Sequence, residues 1–353
     1  MGFFRSYFIP AGIIAGILAA FFAIAKLPHV TLVDPGVTST PSAFNPSKYP
    51  QLDIAAYNAK LLELANLGVS SSTATSTTST PKLWPVKTVY PDGGAIFPFN
   101  RVVAYYGNFY SQQMGILGEY PPDQVLKMLQ DTVAEWQAAD PSTPVIPAID
   151  YIAVAAQNHP GLDGKYRLRM PQNQIDKAIS MAVQIHGLVF LDVQVGQSNV
   201  ETEVPLLKKY LEQANVELCL DPEFDMWGGH VPGTVIGTMD ASDINFAANF
   251  LAEVVKEYNL PPKILVVHRF TQAMVTNYKK IQPLPQVEIV MDMDGFGPPP
   301  MKIRTYKDFI AGEPVQFTGF KLFFKNDAGT GGHLMTPQEV LKLSPQPSFI
   351  QYQ

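Results

Sequence analysis

Three kinds of hydrophobic pattern divide the chain. The first is an unbroken apolar run over residues 7–25, FIPAGIIAGILAAFFAIA at its heart, with no charge inside it. Arg5 precedes it and Lys26 follows. About 18–20 such residues suffice to cross a bilayer as a helix, which satisfies its own backbone polar groups. The amino terminus and Arg5 on the short leading side favour keeping that side in the cytoplasm. The expectation is a single-pass anchor at the cell membrane with the C-terminal domain extracytoplasmic. Ala23-Ile24-Ala25 also fits a small-x-small cleavage site, so the rival is a signal peptide and a secreted product. Residues 1–26 are thus an anchor or a signal peptide, and both readings export the rest.

The second pattern is the near absence of one. Residues 27–81 are rich in Pro, Ser and Thr and have no period, apart from a short helical stretch at 51–67. There Ile54, Tyr57, Leu61 and Leu64 fall on one stripe. The tract SSSTATSTTST (70–80) cannot bury apolar surface and reads as a tether, which places a domain boundary at residue 82.

The third pattern is an alternation. Eight short runs rich in β-branched and aromatic residues read as strands: RVVAYYG (101–107), TPVIPAIDYIAV (143–154), GLVFLDVQ (187–194), VELCLDPEF (216–224), KILVVHRF (263–270), VEIVMDMDGF (287–296), FTGFKLFF (317–324) and SFIQYQ (348–353). Helical spacing appears between them. Val125, Leu129, Val133 and Trp136 mark one helix. Ile175, Ile179, Ala182 and Val183 mark another, after Pro171. The longest covers 240–258, with Asp240 or Ser242 as its cap and Ile244, Ala247, Leu251, Val254 and Tyr258 on its apolar face. Near-continuous apolar strands alternating with helices predict a parallel sheet covered by helices. Eight units predict an α/β fold, a (β/α)8 TIM-like barrel over residues 82–353. An open doubly wound sheet is the alternative, but the stretch after the first strand, YYGNFYSQQMGILGEYPP, has no GxGxxG turn. The chain stops inside the eighth strand, so no eighth helix follows; the helix at 51–67 is a candidate to fill that gap.

Composition narrows the function. Hydrophobic residues make up 46% and charged residues 16%, which excludes a disordered chain. A net charge of −6 argues against a general nucleic-acid binder. The single cysteine, Cys219, excludes an intramolecular disulfide framework and a multi-cysteine zinc site. There is no HExxH, GxSxG or complete P-loop, and no cofactor is expected.

In parallel barrels chemistry sits at the C-terminal ends of the strands. Here those ends carry Asp150, Asp192 and Gln194, Asp221 and Glu223, His268 and Arg269, Asp292 and Asp294, Lys321, and Gln351. A period of two puts Asp221 with Glu223, Asp192 with Gln194, and Asp292 with Asp294 on shared faces. Converging carboxylates imply a polar mouth and push each other's pKa values apart, so one stays protonated as an acid while another remains a base. Glycosidic bond hydrolysis needs such a pair. Glu223 is the candidate general acid, Asp294 or Asp192 the nucleophile or base, and Asp221 the group that tunes Glu223. His268, Gln194 and Tyr106 are candidates to hold sugar hydroxyls, with Trp227 and Asp292 also on the substrate side. The plainer reading is that any parallel barrel has polar strand ends, and that Asp221-Pro222 is only a turn signal.

The segments VVAYYGN, MGILGEYPP, LDVQVGQS, LDPEF with a downstream PGTVIG, PPKILVVHRF and MDMDGFG resemble exported bacterial TIM-barrel proteins that are glycoside-hydrolase-like, over roughly residues 101–353. The resemblance implies a carbohydrate substrate. Chitinase-like families carry alternating acids on strand four, ending in a catalytic glutamate. Glu217, Cys219, Asp221 and Glu223 share that spacing here, with Cys219 where an earlier acid is expected. Two other functions compete. A non-catalytic surface barrel for a glycan or protein partner predicts acids that do not converge, or that are closed off in salt bridges with Arg269 and Lys321. A metal-dependent hydrolase predicts that Asp192, Asp221, Glu223, His268 and Asp294 converge on a hard cation.

Overall fold

A computed structural model describes residues 48–67, 83–329 and 331–353. The apolar run at 7–25 and the tract at 70–80 lie outside the described residues. Among the described residues no helix is long and apolar enough to cross a membrane.

The fold is α/β, built on a closed eight-stranded parallel barrel. Its strands are β1 (Arg101–Gly107), β2 (Val145–Ala156), β3 (Leu188–Val193), β4 (Val216–Leu220), β5 (Lys263–Arg269), β6 (Val287–Met293), β7 (Phe317–Leu322) and β8 (Phe349–Tyr352). Each pairs in parallel with its sequence neighbour, and β1 also pairs with β8, Val102 opposite Phe349, which closes the ring. All eight predicted strands are present. They read as continuous apolar runs because both faces are covered: β1, β3, β4, β5, β6, β7 and β8 are buried throughout. A short strand, Arg167–Arg169, adds antiparallel to β2.

Strand boundaries differ from expectation where the chain turns. The fourth run was expected to stay extended through residue 224, but β4 ends at Leu220 and Pro222–Phe224 forms a 3-10 turn. Pro222 has no N–H for the ladder, and the Asp221 carboxylate accepts the Glu223 N–H at 3.1 Å, which closes the turn. Glu223 therefore does not share a strand face with Asp221.

The helical layer is less regular than eight units imply. Helix α1 (Ile54–Ala65) precedes the barrel. Helices α2 (Pro122–Ala139), α3 (Gln172–Gln184) and α4 (Ala241–Tyr258) bury Val125, Leu129, Trp136, Ile175, Ala182, Ile244 and Leu251 of the predicted stripes, whereas Val183, expected on the stripe of α3, is exposed. Asp240 is the cap of α4, in a reciprocal capping box with Asp243. Helix α5 (Pro299–Thr305) runs on as a π-helical stretch to Ala311. Short helical turns fill 200–211, two 3-10 turns and the two-residue strand Val275–Thr276, which pairs with Met239–Asp240, lie between β5 and β6, and single turns link β7 to β8.

The base of the barrel is plugged. Tyr57 of α1 and Phe97 pack with the lowest inward residues, Val102, Leu188, Ile264 and Phe317. The Glu288 carboxylate accepts the N–H groups of Ile96 and Phe97 at 2.9 and 2.8 Å. Gln346 N–H donates to the Leu64 carbonyl and Asn66 Nδ2 to that of Leu343. The helix expected beside β8 thus sits under the barrel. The opposite end is left for polar groups.

Candidate functional site

The inner face of the barrel changes from apolar to polar in a single step. Ala104, Ala148, Phe190, Cys219, Val266, Val290 and Phe349 form the middle of the inward-facing cluster. Two residues further along each strand, the same alternation places Tyr106, Asp150, Asp192, Asp221, His268, Asp292 and Gln351. Lys321 joins them from β7, directly opposite Gln351 in the register. Every strand therefore contributes one polar side chain to a ring beneath the mouth. Gln194, Glu223 and Asp294 lie just beyond the ends of β3, β4 and β6.

Contacts within the ring are dense. Tyr106 OH donates to Asp192 Oδ2 at 2.9 Å, and Gln194 Nε2 donates to Tyr106 OH and Asp221 Oδ2, both at 3.2 Å. The Gln194 amide is itself oriented, because Ala156 N–H donates to its Oε1 at 3.0 Å. His268 Nδ1 lies 3.1 Å from Asp292 Oδ2 and 3.7 Å from Asp294 Oδ2. Lys321 Nζ pairs with Asp294 Oδ1 at 3.1 Å and sits 3.9 Å from the centre of the Tyr106 ring. Deeper, Cys219 Sγ and Gln351 Nε2 donate to Asp150 Oδ2 at 3.2 and 2.6 Å.

The charges are coupled. Burial pushes the Asp150 carboxyl up to about 6, against the pull of His268. Burial and the neighbouring acids push Asp192 and Asp221 to about 7. Burial alone would lower His268, but the Asp292 hydrogen bond and the Asp294 charge outweigh it and raise it to about 10. Lys321 is raised in the same way, burial being outweighed by Asp294, Asp221 and Asp292. Glu223 is raised well above the ordinary glutamate value by burial, then by Asp221 and Asp294.

The predicted site residues separate by depth. Glu223 is partly exposed and its carboxyl makes no hydrogen bond or ion pair with any described residue. Asp294 is next in exposure, at 8%. Gln194, Tyr106 and Asp221 are nearly covered, whereas Asp192, His268 and Asp292 have no exposed surface. Trp227 stands apart, 84% exposed on the loop after β4. That loop is tied to the one after β3, since Gln197 Nε2 donates to the carbonyls of Gly229 and His230, both at 2.9 Å. Arg269, expected to pair with mouth acids in the non-catalytic reading, instead pairs with Glu313. A groove of about 640 Å³ lined by residues including Val86, Tyr278, Ile281 and Val315 borders the loops that enter β6 and β7, away from these acids.

Several contributors were not singled out as site residues by the sequence. Asp150, Lys321 and Gln351 were visible as strand ends, but only the barrel register shows that they face inward. Lys302 and Asp327 left no signal. Lys302 Nζ donates to the carbonyls of Gly295 and Lys321 at 2.9 and 2.8 Å and to Asp327 Oδ1 at 3.1 Å. It thereby fixes the turn after Asp294 to the strand that carries Lys321.

No family model and no curated protein matches the sequence. Comparison of structures finds distant similarity to glycoside hydrolase TIM barrels. A GH18 chitinase from Pseudoalteromonas aurantia aligns at a TM-score of 0.35 and 11% identity, over 72% of this chain and 93% of the chitinase. A GH26 protein from a Muricauda species aligns at 0.28 and 11%, over 75% of each chain. Dihydropteroate synthase from Burkholderia cenocepacia aligns at 0.30 and 11%, over 72% of this chain and 86% of the synthase. These likenesses are of fold, which hosts many chemistries.

Proposed function

We propose that the mouth of the barrel hydrolyses a glycosidic bond in an extracytoplasmic polysaccharide. The observation that carries this reading is Glu223: partly exposed, its carboxyl without a hydrogen bond or ion pair among the described residues, and raised well above the ordinary glutamate value by burial and then by Asp221 and Asp294. A carboxylic acid kept neutral at a polar mouth is what protonation of a departing sugar oxygen requires. Asp294 is the second carboxyl of the pair, the nucleophile or the base for water. Lys321 holds it through the 3.1 Å ion pair. Asp221 sets the backbone of Glu223 through its hydrogen bond to the Glu223 N–H.

Depth assigns the remaining roles. Gln194 and Tyr106 form the floor and meet sugar hydroxyls. Asp192, His268 and Asp292 are fully buried and act as positioning residues, in place of the direct roles their strand-end positions suggested. Trp227, exposed on its loop, offers a face on which a sugar ring can stack.

The test is a panel of polysaccharides with product analysis, run on the full-length chain and on Glu223→Gln and Asp294→Asn. New reducing ends are expected from the parent, with turnover lost in both variants and the unfolding midpoint retained in Glu223→Gln. Full turnover in Glu223→Gln would reject it as the acid. A second reading, a glycan-binding barrel without catalysis, is favoured by the closed Lys321–Asp294 pair. It predicts saturable binding to a glycan on the same panel and no product.

A further inference from the structure

Below Glu223 the ring contains polar atoms that no described residue satisfies. Asp150 Oδ1, Asp192 Oδ1, His268 Nε2 and Gln351 Oε1 are buried and without a hydrogen-bond partner among the described residues. All four side chains have 0% exposure. A buried polar atom left unmatched is costly, so a cluster of them calls for an occupant. Cys219 closes the same space. One donor atom each from Asp150, Cys219 and His268 lie within 4.8 Å of one another. Asp192 Oδ1 is 3.9 Å from His268 Nε2.

We infer that the barrel holds a zinc ion inside this ring, bound by Asp150, Cys219 and His268 with Asp192 as the fourth ligand. A thiolate, an imidazole and two carboxylates form a mixed donor set that suits tetrahedral zinc better than a hard cation, which would take oxygen alone. Zinc bonds of about 2.0–2.3 Å put neighbouring ligand atoms roughly 3.3–3.7 Å apart, so side-chain rotations of about 1 Å complete the site. Binding releases the Cys219 thiol proton and any proton on the His268 nitrogens that the metal displaces, and the ion's double charge is met by the thiolate and the carboxylates. The Gln351 amide stays beside the ion, its Nε2 holding Asp150. The site lies beneath the mouth and differs from the set expected from the sequence: Asp221, Glu223 and Asp294 are not ligands, and Asp150 and Cys219 are. It does not rest on the glycosidase reading; the ion would anchor four strands, β2, β3, β4 and β5, whether or not the mouth is catalytic.

The experiment uses the full-length chain stripped with a chelator and then given Zn²⁺ or Co²⁺. One zinc per chain is expected to remain after dialysis, with a raised unfolding temperature. Cobalt is expected to give a thiolate-to-metal charge-transfer absorption in the near ultraviolet that Cys219→Ser removes. Asp150→Asn is expected to weaken zinc at least tenfold, and it serves as the independent test if Cys219→Ser fails to fold. Absence of retained zinc, with only ordered water in the ring, would overturn the inference. So would a cobalt spectrum unchanged in Cys219→Ser, or zinc affinity unchanged in Asp150→Asn.

Discussion

Replacing Asp327 by Asn removes the counter-charge of a buried ammonium. Lys302 and Asp327 are 1% and 0% exposed and their charges lie 3.0 Å apart. The ammonium also sits above the rings of Phe323 and Phe320, at 4.9 and 5.4 Å. Asp327 further accepts the N–H groups of Gly297 and Phe323 at 2.9 and 3.0 Å. Asparagine keeps one oxygen acceptor but no charge. Breaking a buried pair from one side costs about 3–5 kcal/mol, because the remaining charge is left in a low-dielectric site. At about 2–4 °C per kcal/mol for a domain near this size, the expected fall in unfolding temperature is about 6–20 °C. Changing Lys302 to Met as well removes the stranded charge, so the double variant should recover to within about 2 kcal/mol of the parent. Urea unfolding of the parent, both single variants and the double variant measures all four corners. A loss below about 1 kcal/mol in Asp327→Asn, or additive losses in the double variant, would refute the reasoning. The pair also has a pH signature. Burial holds Lys302 down at about 8, below its ordinary 10.5, so the folded form releases that proton first. Stability is therefore expected to rise as pH climbs from 8 to 10.5.

Three further outcomes are expected. Glu223→Gln should cost about 10²–10⁴ in turnover on a responsive glycan and leave stability within about 0.5 kcal/mol, read by initial rates and urea unfolding; activity of the parent should fall as pH rises through the raised Glu223 value. Gly319→Ala should destabilise by about 1–3 kcal/mol, because a Cβ there would clash with Asp292 Oδ1 and displace the carboxylate whose Oδ2 meets His268 Nδ1; an unchanged urea midpoint would contradict this. For Asp140, partial burial works upward, but hydrogen bonds from Thr143, Ser142 and Arg101 outweigh it and bring the carboxyl down to about 2. The advantage of the parent over Asp140→Asn should be present above about pH 4, shrink below it and be lost as pH falls through about 2, in parallel acid-unfolding curves.

The eight strands were legible because each is buried on both faces and so reads as one apolar run. Their number pointed to a barrel, but the closing register, Val102 opposite Phe349, joins residues far apart in the chain and left no local signal. Strand-end position brought Asp192, Asp221, His268 and Asp292 to one ring, but the period-two pairing of Asp221 with Glu223 failed, because Pro222 ends the ladder and a 3-10 turn follows. The helix at 51–67 was visible by its stripe, yet its place under the barrel depends on Tyr57 meeting Phe97 and the inner strands. Depth was the least legible quantity of all. Strand-end position treats Asp192 and Asp294 alike, while the closed ring buries one beneath Tyr106 and leaves the other at the rim beside Lys321.

The most direct measurement is the titration of the Glu223 carboxyl itself. Carboxyl carbons of labelled glutamates would be followed by NMR against pH, with Glu223→Gln identifying the signal. A midpoint well above the ordinary glutamate value of about 4.3 is expected. A midpoint in the ordinary range would mean that no protonated acid stands at the mouth near neutral pH, and it would contradict the paired-carboxylate account at its starting point.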